Sequence, residues 1–245
     1  MEETRSCSGT CVTMRVGMQD AGRPGKAGQD AFAGQRAEMV ERQLRRRGIF
    51  DMAVLRAMEE VPRQEFVPET LRSRAYDDAP LPIGGGQTIS QPYIVAAMTA
   101  ALRLRATDRV LDIGTGCGYQ AAVLSRIAAA VYSVEVRQDL ATAAAERLER
   151  LGDANVHVHC GDGTLGLPEC APFDAILVAA AAPDVPEPLV EQLAEGGRLI
   201  LPVGESDRQQ LRLLIRREQR VETIALEPCQ FVPLIGRYGW QEPVP

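Results

Sequence analysis

Between Arg109 and Val203 short apolar runs alternate with amphipathic stretches. Strands are predicted at 109–113, Val131–Glu135, Asn155–Cys160, Phe173–Val178 and Arg198–Val203. The Phe173–Val178 run is almost continuously apolar, the mark of a strand covered on both faces. Helices are predicted between the strands at 117–128, 138–151 and about Pro186–Ala194. In the second of these, Leu140, Ala144, Leu148 and Leu151 form the inner stripe and Gly152 is the stop. Strand and helix patterns in strict alternation predict a doubly wound α/β fold with a mostly parallel sheet.

The flanks have other patterns. Residues 1–34 are rich in Gly, Ser and polar side chains without a period and are expected to be disordered. From Gln35, Met39, Val40, Leu44 and Ile49 lie near one helix face, with Gly48 as stop. Asp51 is a good N-cap for a second helix with Val54, Leu55 and Met58 inward, closed by Pro62. From Phe66 to Ile83 prolines punctuate a segment expected to be extended, which runs into Gly84-Gly85-Gly86. Gln87–Val95 then brings small hydroxyls to a helix start, either with Ser90 as N-cap or with the Thr88 and Ser90 hydroxyls lining a polar pocket, with Pro92 in the first turn and Met98 and Leu102 further along. After Val203, late strands are expected at Gln210–Arg216, about Val221–Leu226 and Gln230–Leu234, antiparallel at the sheet edge. A single domain over 35–245 follows, with helices and a loop at 35–107, a core at 108–204 and strands at 205–245.

The chemistry centres on Asp112-Ile113-Gly114-Thr115-Gly116-Cys117-Gly118-Tyr119. Glycines permit positive φ and a close approach of backbone to ligand, and a helix start offers free N–H groups. Tyr119 breaks the dinucleotide fingerprint, which wants Gly or Ala three places after its second glycine. Asp112, two residues before the first glycine, repels a pyrophosphate and favours a cationic sulfonium. Glu135 ends the next strand 21 positions after Gly114, where a doubly wound fold sets a carboxylate on ribose hydroxyls. Asp162, between Gly161 and Gly163, ends the third strand.

Net charge is −6 and Lys26 is the only lysine, which argues against a general binder of nucleic acid or anionic membrane. The six cysteines include no C-x-x-C pair, so reduced thiols are expected and zinc is not. His157 and His159 share a strand face but lack a third ligand, so no metal is expected. The first residues carry no apolar signal region, and the longest apolar run, Ala175–Ala182, is too short to span a bilayer. A cytoplasmic location is expected.

The pattern D-x-G-x-G-x-G resembles motif I of the S-adenosyl-L-methionine (SAM)-dependent methyltransferases. Over about four-fifths of the chain the likeness is closer. Leu81–Gly84 with Gln87–Val95, Asp112–Gln120, Gly161–Gly163, Ala171–Ile176, Gly196–Leu199 and Phe231–Leu234 resemble the protein-L-isoaspartate O-methyltransferase family. Thr88–Pro92 is the specific part. The resemblance implies a class I methyltransferase fold with a seven-stranded Rossmann-like sheet, and SAM as methyl donor. It implies as acceptor the free α-carboxylate of L-isoaspartyl residues in damaged proteins and peptides.

It further implies Ser90 as the active-site serine, Gly114 and Gly116 in the SAM turn, Glu135 on the ribose and Asp162 on the adenine. The cofactor set becomes Gln87, Thr88, Ile89, Asp112, Gly114, Thr115, Gly116, Glu135, Gly161, Asp162 and Gly163, with no metal. Asp112, Cys117 and Ala179 stand where the family more often has Glu, Ser and Thr. A monomer is expected, without nucleic-acid or membrane partners. A SAM enzyme with a small-molecule acceptor and a non-catalytic SAM-binding module remain the alternatives.

Overall fold

The computed structural model describes residues 30–205, 207–218 and 220–241. Its centre is a seven-stranded sheet. The strands are β3 (Arg109–Ile113), β4 (Ala130–Glu135), β5 (Val156–Cys160), β6 (Phe173–Val178), β7 (Leu193–Glu205), β8 (Arg208–Arg217) and β9 (Arg220–Cys229). Their order is β5-β4-β3-β6-β7-β8-β9. The first five are parallel, and β8 and β9 add antiparallel strands at one edge. β1 (Leu81–Gly84) and β2 (Gln87–Ile89) form a separate antiparallel hairpin.

The central strands bury both faces because their side chains alternate between two cores. Val110, Ala175, Leu177 and Ile200 face the core shared with α1 (Ala33–Met39), α2 (Met52–Glu60), α3 (Pro92–Ala101) and α4 (Tyr119–Ser125). Leu111, Ile113, Ile176, Val178, Leu199 and Leu201 face the opposite core, which takes Leu189 of α6 (Glu187–Glu191). Between β4 and β5 runs α5 (Gln138–Leu151), stopped by Gly152 at φ 81°. All five parallel strands carry their carboxyl ends to one edge of the sheet, and the glycine turn lies there.

Several expectations are revised. The extension expected at 1–34 lies outside the described residues up to position 29. Past that point α1 opens at Ala33, Phe32 packs against the Tyr76 ring, and Asp30 pairs with Arg36 at 2.5 Å. The first helix widens into a π turn at Val40–Leu44, which keeps Met39, Val40 and Leu44 buried together, before Gly48 ends it at φ 92°. Asp51 caps α2, its Oδ1 accepting from the Ala53 and Val54 amides at 2.9 and 3.2 Å.

The segment before the hairpin is not extended throughout. It coils into 3₁₀ turns at Arg63–Phe66 and Glu69–Arg74, with Phe66 in the core. α4 and α6 are shorter than their patterns suggest. β7 starts at Leu193 because that apolar residue pairs with Phe173, and the register then slips before Ala175 meets Arg198. Gly197 sits inside that slip, where a Cβ would meet the Ala194 carbonyl at 2.7 Å.

The third late strand does not join the sheet. Residues 230–234 leave β9 and cross back to the loop after β6, where Ala181 donates its amide to Val232 O and accepts from Leu234 N, both at 2.8 Å. Pro233 lacks the N–H a ladder needs, so the contact stays a single bridge with Ala181.

Candidate active site

A cavity opens at the carboxyl ends of β3, β4 and β6. Its floor is the glycine turn. Gly114, Gly116 and Gly118 have φ of 90°, 53° and 90°, where other residues are strained. A Cβ on Gly163 would stand 2.5 Å from Ile113 Cγ2, so only glycine fits that wall. Gln87–Ser90 of the hairpin, Ile94, Val95 and Met98 of α3, Tyr119 and Gln120 of α4, and Ala179–Ala180 after β6 form the sides. Phe231–Ile235 lie across it.

Glu135 closes the β4 side with 6% exposure. Its Oε2 accepts from Gly116 N at 2.8 Å and its Oε1 from Arg137 N at 3.1 Å. These two amides orient the carboxylate and leave lone pairs for vicinal hydroxyls. Behind the turn Ser133 Oγ lies 2.6 Å from Thr115 Oγ1 and donates to Asp112 Oδ2 at 2.7 Å.

Asp112 is fully buried and its Oδ1 has no hydrogen-bond partner among the described residues. Burial raises its pKa to about 7; the bond from Ser133 opposes the rise and the Glu135 charge adds to it. Asp112 therefore does not line the cavity. It braces Thr115 through Ser133.

Asp162 and Gly161 also stand outside the lining. Asp162 Oδ1 accepts from Thr164 N and Oγ1 at 2.9 and 2.6 Å, and Oδ2 accepts from Arg237 N at 2.8 Å. Its carboxylate ties the turn after β5 to the crossing C-terminal segment, while Gly163 reaches the cavity. Of the other sequence-named residues, Gln87, Thr88, Ile89, Ser90, Gly114, Thr115, Gly116 and Glu135 meet in the cavity.

Ser90 is not the cap of α3. That position is Gln91, which makes no side-chain cap and instead donates to Asp78 Oδ1 at 2.8 Å. One residue earlier, Ser90 is released to the cavity wall. Tyr119, marked in the sequence only as a break in the dinucleotide fingerprint, and Gln120 and Ile235 were not expected to line the site. Nothing local in the sequence shows that a position beside the core borders a cavity.

His157 and His159 pack beside Tyr132, with ring centroids 5.3 and 6.4 Å away. Among the described residues no three His, Cys, Asp or Glu side chains converge as a metal site, and no helix is long and apolar enough to cross a membrane.

A doubly wound seven-stranded sheet, a glycine turn after its first parallel strand and an acid closing the second define a class I SAM-dependent methyltransferase fold. The sequence profile of the protein-L-isoaspartate(D-aspartate) O-methyltransferase family matches residues 35–239, and the chain belongs to that family. A protein-L-isoaspartate O-methyltransferase of Methanoculleus marisnigri is 58% identical over 207 residues, which cover 84% of this chain and 94% of that one. A solved protein-L-isoaspartate O-methyltransferase superposes with TM-score 0.75 at 34% identity, over 83% of this chain and 67% of the other. The beta-aspartate methyltransferase of Plasmodium falciparum, solved with S-adenosyl-L-homocysteine, superposes with TM-score 0.72 at 29% identity, over 82% and 98%.

SAM is the cofactor of this chain, and the cavity residues suit it. Positive-φ glycines expose backbone to the ligand, Glu135 suits ribose hydroxyls, and Val136 and Gly163 form an uncharged wall for a base.

Proposed function

We propose that this protein methylates the free α-carboxylate of L-isoaspartyl residues in damaged proteins and peptides. The observation that carries the reading is that the Gln87–Ser90 hairpin and the SAM turn share one cavity, in a chain of this family. SAM supplies an electrophilic methyl group on a sulfonium. A carboxylate is already nucleophilic at neutral pH, so no general base is required. Its oxygen bonds to the methyl carbon as the carbon–sulfur bond breaks, giving a methyl ester and S-adenosylhomocysteine with no proton released.

The work of the protein is alignment and exclusion of water. Glu135 and the glycine turn set the donor end. The Ser90 hydroxyl, with Thr88 and neighbouring amides, holds one acceptor oxygen while the other attacks. Phe231–Ile235 line the cavity, and in this reading their apolar side chains help to exclude water. The reading includes a cytoplasmic monomer without nucleic-acid or membrane partners; the net charge of −6 supports the absence of polyanion binding.

Labelled SAM with an isoaspartyl peptide and its aspartyl isomer tests the function. Methylation of the first alone is the expected result. No transfer to the isoaspartyl peptide, with transfer to a small acceptor, overturns it.

A further inference from the structure

We propose that Arg63 is a positioning residue for the acceptor carboxylate, acting from one layer behind the cavity wall through Ser90 and Tyr119. This rests on the acceptor assignment above.

Arg63 has 0% exposure and stands among the largest fully buried side chains. Its Nε donates to Ala75 O and its Nη2 to Ser90 O, both at 2.7 Å. The guanidinium carbon lies 4.7 Å from the Tyr119 ring centroid. Tyr119 is held from its other sides by the edge-on ring of Phe66 and by its hydroxyl bond to Met58 Sδ at 3.7 Å. Ser90 and Tyr119 both border the cavity.

Among the described residues no carboxylate pairs with Arg63, and its Nη1 has no hydrogen-bond partner. Burial draws its pKa down. Burying a cation against carbonyls and an aromatic face alone is expensive. Two backbone contacts could be made by a neutral side chain, so tethering by itself does not account for a charge here.

The charges around the cavity do. Glu135 lies at the donor end, where its carboxylate suits a sulfonium and repels an entering carboxylate. Arg63 lies under the Ser90 end, its charge little screened by solvent. The cavity thus has a carboxylate at one end and a cation behind the other, matching a cationic donor and an anionic acceptor. The Ser90 carbonyl contact fixes the turn that carries the hydroxyl. The field of the guanidinium favours the ionised acceptor over the neutral ester product.

The test compares Arg63→Met and Arg63→Lys with the unmodified protein on an isoaspartyl peptide. SAM affinity comes from calorimetry, and the affinity of the methyl-ester product peptide from inhibition. Arg63→Met is expected to lower kcat/KM by about ten-fold or more, chiefly through peptide KM. SAM affinity and product-ester affinity should change by less than about two-fold, since the ester has lost the acceptor carboxylate and SAM binds at the Glu135 end of the cavity, away from Ser90. Arg63→Lys keeps the charge, should recover part of the loss, and carries the test if Arg63→Met does not fold.

In a Ser90→Ala background the Arg63 effect should shrink, because the two act as a unit. Unchanged peptide kinetics in a folded variant, or equal losses for SAM, peptide and ester, overturn the proposal. Absence of peptide methylation by the unmodified protein overturns the acceptor assignment itself, and Arg63 with it.

Discussion

Glu135 accepts a hydrogen bond from Gly116 N at 2.8 Å, so the acid at the end of β4 and the middle glycine of the turn are held as one piece. Glu135→Ala removes the brace on the turn and, in the proposed reading, a partner of the ribose hydroxyls. SAM affinity should fall by roughly 1.5–3 kcal/mol, the range for charge-assisted hydrogen bonds. Far-ultraviolet dichroism should be unaltered. Calorimetry with unchanged SAM affinity would take Glu135 out of the site.

Ser90 caps no helix, so Ser90→Ala should leave the melting temperature close to that of the parent. Turnover is another matter. Loss of the hydroxyl should cut kcat/KM on an isoaspartyl peptide by about ten-fold or more, with SAM affinity little moved. Ser90→Thr should retain part of the activity, limited by β-branching beside the hairpin. Parent-like kinetics in folded Ser90→Ala would end its catalytic assignment and leave the fold and family untouched.

Asp112 makes stability depend on pH. Its folded pKa, about 7, exceeds the ordinary 3.8, so between those values the folded state holds a proton that the unfolded state has released. Stability therefore falls as pH rises from about 4 to about 7, with each unit of the shift worth about 1.4 kcal/mol. Asp112→Asn cannot ionise. Its melting temperature relative to the parent should rise between pH 5 and pH 8, and a constant difference across that range would show that Asp112 titrates normally.

Asp162 joins the turn after β5 to the crossing segment through Thr164 and Arg237 N. Asp162→Ala should cost about 1–3 kcal/mol of stability, because it leaves partly buried donors unpaired. Amide exchange at Arg237 and Tyr238 should quicken while β3 and β6 stay protected. Uniform exchange across the chain would show that the segment is not held by this carboxylate.

Removing residues 1–29 should leave the melting temperature and peptide methylation unaltered. Removal through Gly34 should lower the melting temperature, because it strips Phe32 from Tyr76 and Asp30 from Arg36. Equal melting curves for the two truncations would show that those contacts contribute nothing. A drop already on removing 1–29 would show that the extension contributes to folding.

The parallel core was legible residue by residue. Val110-Leu111 and Phe173–Val178 are buried on both faces, and that burial writes a continuous apolar run into the sequence. The glycine turn was legible because positive φ selects glycine locally, and Glu135 because its distance from Gly114 is set by one β-α-β unit. The Asp51 cap and the Gly48 and Gly152 stops are local for the same reason.

Only the tertiary structure decided that Gln91 occupies the cap position and Ser90 the cavity wall, since by cap chemistry alone Ser90 is the better cap. It alone turned 230–234 away from the sheet and over the cavity, pinned by Ala181 some fifty residues earlier. It alone set Arg63 beneath Ser90 and Asp112 behind Thr115. Each of these depends on partners distant in the chain, and a local pattern of apolar and polar positions records the period of an element but not the residue that another element brings against it.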